Sequence, residues 1–193
     1  MRAAGGWSFE VRIANPPPAL LAKYTVKERT FFSDYANFVF EITKDSAVSE
    51  KLSQIFSTEH VSFERPIDIR VMMFPARPLR GRSNRILHGS FSHSASQISL
   101  YPLKMPRDWI RQEGVELFRQ PYESLSMRKK KLVYEVSENA IATLIHEVLH
   151  AKFERRGFGR YVEESLVRKL EAQYMEGWDE TISEAVQRAF TRF

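Results

Sequence analysis

Over residues 7–13 apolar and polar positions alternate, with Trp7, Phe9, Val11 and Ile13 on one side, the period of a half-buried strand. Pro16-Pro17-Pro18 then stops it. Across residues 26–56 the period changes. Phe31, Phe32, Tyr35, Phe38, Val39, Ile42, Leu52 and Ile55 recur at helical spacing, which predicts one or two amphipathic helices with a break near Asp45-Ser46. Residues 61–63, 67–74, 86–91 and 97–101 read as strands. Between the second and third lies a basic loop, ARPLRGRSNR, punctuated by Gly and Pro. Pro106 opens a short helical stretch, and Pro121 marks the next break.

The rest of the chain reads as helical. One helix starts at Ser126 or Ser137 and runs to Arg156, with Ile141, Leu144, Ile145, Val148 and Leu149 around much of its circumference, as in a buried helix. Arg155 and Arg156 suit its last turn, and Gly157 its stop. Two more helices are predicted at residues 161–175 and 180–190. The order of helix, sheet and helical half predicts an α+β fold in one domain. Residues 1–105 form its sheet-rich half and residues 106–193 its helical half.

Composition narrows the chemistry. A chain of 193 residues with 43% hydrophobic content can bury the core of one domain. It has no cysteine, so disulfides, thiolate metal sites and a cysteine nucleophile are all excluded. Any metal must be held by His and carboxylate groups. Zero cysteine with 29 Lys+Arg and 24 Asp+Glu also suits a thermophilic source. No apolar run is long enough to span a bilayer, and the N-terminal residues lack a signal-type apolar core. The expectation is a soluble, cytoplasmic protein without membrane contact.

Against that background one motif stands out, His146-Glu147-Val148-Leu149-His150. Two His four apart on a helix project from one face, so both imidazoles can reach a single ion at ~2.0–2.1 Å. Glu147 leans to one side of the pair. Zinc lowers the pKa of a water it binds from about 15.7 to roughly 7, and a carboxylate so placed can take the proton as the oxygen attacks a carbonyl. Burying two His and a Glu in an otherwise apolar helix is costly without a metal. A catalytic zinc has three protein ligands, and the third must be His, Asp or Glu. No His follows the motif, whereas the predicted helix YVEESLVRKLE offers adjacent carboxylates behind a Gly157-Phe158-Gly159 turn.

The stretch HEVLHAKFERRGFGRYVEESLVRKLE resembles the small glutamate-zincins (gluzincins), in particular compact metallopeptidases of phage, viral and archaeal genomes. The resemblance spans about residues 97–175. It implies a zincin-like fold, a Zn2+ cofactor and peptidase activity on a peptide or protein substrate. It also implies Glu147 as general base beside His146 and His150, and a Glu of the following helix as third ligand. Glu164, three before Val167 and six before Leu170, keeps the spacing of the phage-type sequences. Glu163, on the face of Leu166, Val167, Leu170 and Tyr174, is the alternate. The strand at 97–101 takes the place of the edge strand that pairs with an extended substrate, and Pro102 ends it. The chain departs from thermolysin-like members, with no Asn-Glu-x-x-Ser-Asp and no Asp at the position that would orient the first His; Glu171, two turns on from Glu164, is either a group behind the ligands or a solvated surface residue. Tyr161, Tyr174 and Arg160 are candidates to stabilise the transition state.

Other features point elsewhere. His88 and His93 precede the presumed edge strand, and His60 carries no signal. The net charge of +5, the arginines Arg77, Arg80, Arg82 and Arg85, and the run Arg128-Lys129-Lys130-Lys131 would suit nucleic acid. SprT-like proteases join DNA binding to a zincin core but use a third His, absent here. The alternative function is thus a nucleic-acid-associated binding or regulatory protein of little activity on the same scaffold. A helical module with no metal is the third reading, and the oligomeric state stays open.

Overall fold

The Thr25 side chain accepts from the Glu28 N–H, and Glu28 reaches back to the Thr25 N–H, a capping box that starts the long helix α2 (Val26–Lys44). At the far end Asp45 accepts from the N–H groups of Ala47 and Val48 and so starts α3 (Ser46–Thr58), which places the break where the sequence predicts it. A computed structural model of the chain describes residues 9–61, 66–73, 88–92, 94–153 and 157–192. Trp7, Phe63, Phe74, the 76–85 loop with its four arginines, Ile86, His93, Arg155 and Arg156 lie outside the described residues.

Four strands form one mixed sheet: β1 (Phe9–Ala14), β2 (Ile67–Met72), β3 (Gly89–Ser92) and β4 (Gln97–Leu100), in the order β1-β2-β4-β3. β1, β2 and β4 are parallel, and β3 pairs antiparallel with β4, Phe91 opposite Ile98. The parallel β1–β2 pair needs a long crossover. It is supplied by a short turn of helix α1 (Pro18–Leu21) followed by α2 and α3. β4 therefore has partners on both sides, and the outer strands among the described residues are β1 at one end and β3 at the other. This corrects the expectation that residues 97–101 form the edge. Gly and Ser within β3 (GSFS) weaken its strand signal, while β4 (QISL) reads strongly.

Ile67, Ile69 and Val71 alternate toward the helices and are almost fully buried. On the opposite face Arg12 Nη2 meets Asp68 Oδ2 at 2.6 Å, and Arg70 Nε meets the same oxygen at 2.8 Å. After β4 come α4 (Arg107–Gln112), two 3-10 turns (Gly114–Arg119 and Tyr122–Ser124), α5 (Met127–Phe153), α6 (Arg160–Met175) and α7 (Asp179–Phe190). The chain is α+β. Its core is continuous across both halves, with Phe31, Tyr35 and Phe38 of α2 packed on Phe118, and Phe190 of α7 closing the aromatic group.

α5 runs through the middle as 27 residues without Gly or Pro. Ile141, Leu144, Ile145, Val148 and Leu149 are each no more than 1% exposed, so this half of the helix is buried on most sides and leaves His146, Glu147 and His150 on its one polar face. Such burial is worth about 1.5–3 kcal/mol per side chain and fixes the helix that carries the His pair.

Candidate metal centre

Gly157 has φ of +66°, a left-handed conformation that glycine adopts without strain, and α6 follows it back along α5. Val167 is the one fully buried residue of α6, flanked by the partly buried Leu166, Leu170 and Tyr174. In this antiparallel pair the start of α6 lies beside the end of the motif. Glu163 therefore meets His150, and Glu171 meets His146.

The two imidazoles of α5 stand with ring centres 4.8 Å apart and planes at 72°. Their Nε2 atoms are 3.1 Å from each other. Glu164 Oε2 lies 3.8 Å from Nε2 of His146 and 3.5 Å from Nε2 of His150. A point about 2.0 Å from all three atoms lies within this triangle, the length of zinc bonds to imidazole nitrogen and carboxylate oxygen. His146, His150 and Glu164 are the one such group of three among the described residues. Glu163 is turned away, with Oε1 2.7 Å from His150 Nδ1. Glu171 Oε2 is likewise 2.7 Å from His146 Nδ1.

The charges fit a cation. Ionised carboxylates only accept hydrogen bonds, so the contacts of Glu163 and Glu171 place a proton on each Nδ1. With both rings neutral the Nε2 lone pairs face each other and a carboxylate oxygen at 3.1–3.8 Å, an arrangement relieved either by a proton on one Nε2 or by a metal cation between them. Burial works to lower the pKa of His146, but the Glu171 hydrogen bond and the charges of Glu147, Glu171 and Glu164 carry it above its ordinary value. Burial raises Glu164 too, yet its hydrogen bond to Arg168 and the nearby His146 leave it lowered. Arg168 Nε binds Glu164 Oε1 at 2.7 Å, leaving Oε2 for the imidazoles.

Glu147 sits on the sheet side of the pair. Burial raises its pKa, the charges of His146 and His150 oppose this, Glu164 adds to it, and the Phe91 N–H of β3 donates to its carboxylate. The Tyr101 N–H donates to the His88 carbonyl, so by alternation Gly89 and Phe91 turn their backbone groups away from β4. Gly89 is a close approach: a Cβ there would stand 2.4 Å from Thr143 Cγ2 and 3.1 Å from Glu147 Oε1. Sequence reading passed over Gly89 and Arg168. A glycine inside a strand signals close backbone approach, and an Arg four after a Glu on a helix signals a pair.

The other candidates are dispersed. The Tyr174 hydroxyl donates to Glu59, which also pairs with Lys152. Tyr161 is 92% exposed and lies three residues before Glu164, on its helix face, and Arg160 is exposed beside it. His88 is exposed and borders a small recess with Tyr101, Asn139 and Thr143. His60 is exposed. At the start of α5 Arg128 and Lys131 are exposed, Lys131 lying 3.7 Å from Glu135, Lys129 is half-buried, and Lys130 bonds the Glu123 carbonyl and lies 5.2 Å from the Tyr122 ring centre. No described helix is long and apolar enough to cross a membrane. No family model matches the chain, and searches of curated proteins and of solved structures find no similar one.

Proposed function

We propose that the chain is a zinc-dependent hydrolase of the zincin-like type, acting as a peptidase. The observation that carries this reading is the convergence of His146 Nε2, His150 Nε2 and Glu164 Oε2 around one point at zinc-bond length, with Glu147 next to it. Imidazole with carboxylate suits zinc among the common divalent ions. Zinc held there supplies Lewis-acid polarisation of a carbonyl and a water acidified toward neutrality.

The residues of the chain do the rest. Glu147 takes the proton of the attacking water and passes it to the leaving nitrogen. Its raised pKa is in keeping with that exchange, since a base poised nearer neutrality returns its proton readily. Glu147 lies on the side of β3 turned away from β4, so an extended peptide adding along that strand would bring its backbone to the carboxylate and the ion together. Tyr161, 92% exposed and three residues before Glu164, is the remaining tyrosine candidate to stabilise a carbonyl oxygen, since the Tyr174 hydroxyl is engaged by Glu59. These two features favour amide hydrolysis over metal storage.

The test is cleavage of a mixed-sequence peptide library by the zinc-loaded chain beside Glu147→Gln. Turnover that falls by about 10²–10⁴-fold in the variant, with zinc content unchanged, is the expected result. Equal cleavage by both proteins, or none by either, would overturn the peptidase reading.

A further inference from the structure

Both imidazoles of the pair are gripped from behind. Nδ1 of His146 is 2.7 Å from Glu171, and Nδ1 of His150 is 2.7 Å from Glu163. Glu163 and Glu164 are neighbours in sequence and about 100° apart on α6, so one can face Nδ1 of a ring while the other faces Nε2. Glu171 follows Glu164 by seven residues and returns to nearly the same face, where the antiparallel run of α5 presents the other ring. Glu164 is also held: Arg168 takes Oε1 at 2.7 Å and leaves Oε2 toward both rings.

We propose, on the strength of the metal reading above, that Glu163 and Glu171 are positioning residues that lock both imidazoles as Nδ1–H tautomers, while Arg168 confines Glu164 to one ligating oxygen. The site is then assembled before the ion arrives. Neither ring has to change tautomer or flip, and both lone pairs already point inward. A ring without its carboxylate divides between two tautomers, and in one of them Nε2 carries a hydrogen and cannot ligate. An ionised acceptor on Nδ1–H also makes the ring a more basic ligand, and losing such a partner costs about 10–100-fold in metal affinity. Glu163 acts here through His150 and not as a ligand itself. Arg168 acts through Glu164: with Oε1 engaged, Glu164 binds through one oxygen, which keeps a coordination position for substrate and water.

Cobalt(II) titration of the full-length protein, followed by visible absorption, tests the proposal together with long-range proton–nitrogen spectra of the metal-free His rings. The proteins are the intact chain, Glu163→Ala, Glu163→Gln, Glu171→Ala, Glu171→Gln and, as a charge control, the exposed Glu176→Ala. Each of Glu163→Ala and Glu171→Ala should weaken cobalt binding by about 10–100-fold and show an Nε2–H population for the ring it abandons. The Gln variants keep a carbonyl acceptor, so they should keep the Nδ1–H signature and recover most of the affinity, and Glu176→Ala should match the intact chain. Affinities within about twofold of the intact chain in both Ala variants would overturn the positioning role but leave the metal site standing. A changed cobalt spectrum in Glu163→Ala, marking a lost ligand, would overturn it in the opposite direction. Failure of the intact chain to bind cobalt would remove the metal reading itself, and this inference with it.

Discussion

Replacing Gly89 by alanine would set a Cβ 2.4 Å from Thr143 Cγ2 and 3.1 Å from both Cγ and Oε1 of Glu147. Carbon atoms rest at about 3.5–4.0 Å, so the first contact overlaps by more than 1 Å, roughly, and the others by a few tenths. Thr143 is 8% exposed on a helix buried on most sides and has little room to retreat. Overpacking of this kind costs about 1–3 kcal/mol. For a chain of this size each kcal/mol lowers the melting temperature by about 2–4 °C. Thr143→Ala removes the nearest atom, so Gly89→Ala should cost much less in that background, with a coupling energy of about 1 kcal/mol or more. Urea denaturation of the four proteins in the cycle gives the numbers. Activity should not recover with stability, because the Glu147 contacts persist in the double variant. Gly89→Ala as stable as the parent, or effects that simply add to within about 0.5 kcal/mol, would refute the close approach of β3 to the motif helix.

Three other expectations follow from the ion pairs and the cap. Asp45 caps α3 and also receives Arg188 through two hydrogen bonds of 2.8 and 3.0 Å. Asp45→Ala should therefore lose about 2–3 kcal/mol in urea denaturation and Asp45→Asn, which keeps the cap, clearly less; equal losses would show that the cap contributes nothing beyond the Arg188 pair. The Arg107 guanidinium, against the opposing effect of burial, holds Glu28 down from 4.5 to about 2. A carboxyl depressed on folding stabilises the protein above its unfolded pKa and loses that contribution as pH falls from about 4.5 toward 2. The stability–pH curve of Glu28→Gln should accordingly be flatter than the parent's in that window, and parallel curves would contradict the assignment. Chelation should lower the melting temperature of the zinc-loaded protein and leave that of Glu164→Ala nearly unchanged; an equal fall in both would mean that Glu164 takes no part in holding the ion.

The helices and the His pair were legible because they rest on local periodicity. The capped break at Asp45, the apolar run from Ile141 to Leu149 and the four-residue His spacing all lie within single elements. What the sequence could not settle was pairing between elements. The 97–101 strand is expected at the edge because it precedes the motif helix, where the resembling family keeps its edge strand, yet β4 is paired on both sides. The weaker β3, with Gly and two Ser in four residues, is the outer one at that end. Which of Glu163 and Glu164 faces the two Nε2 atoms depends on the rotation of α6 about its axis, which Val167 and the 2.7 Å contacts fix and composition does not. Tyr174 looked equivalent to Tyr161 until Glu59, 115 residues away in sequence, was found at its hydroxyl. Expected strand 61–63 is a further case, since Val61 follows α3 as a buried residue outside any strand and Ser62 and Phe63 lie outside the described residues.

The central claim is that His146, His150 and Glu164 hold one zinc ion. Its most direct test is the metal content, by mass spectrometry, of the untagged full-length protein and of His150→Ala, each equilibrated with zinc and desalted. The account predicts about one zinc per chain in the parent and a large loss in the variant. No zinc in the parent, or the same amount in both, would contradict it.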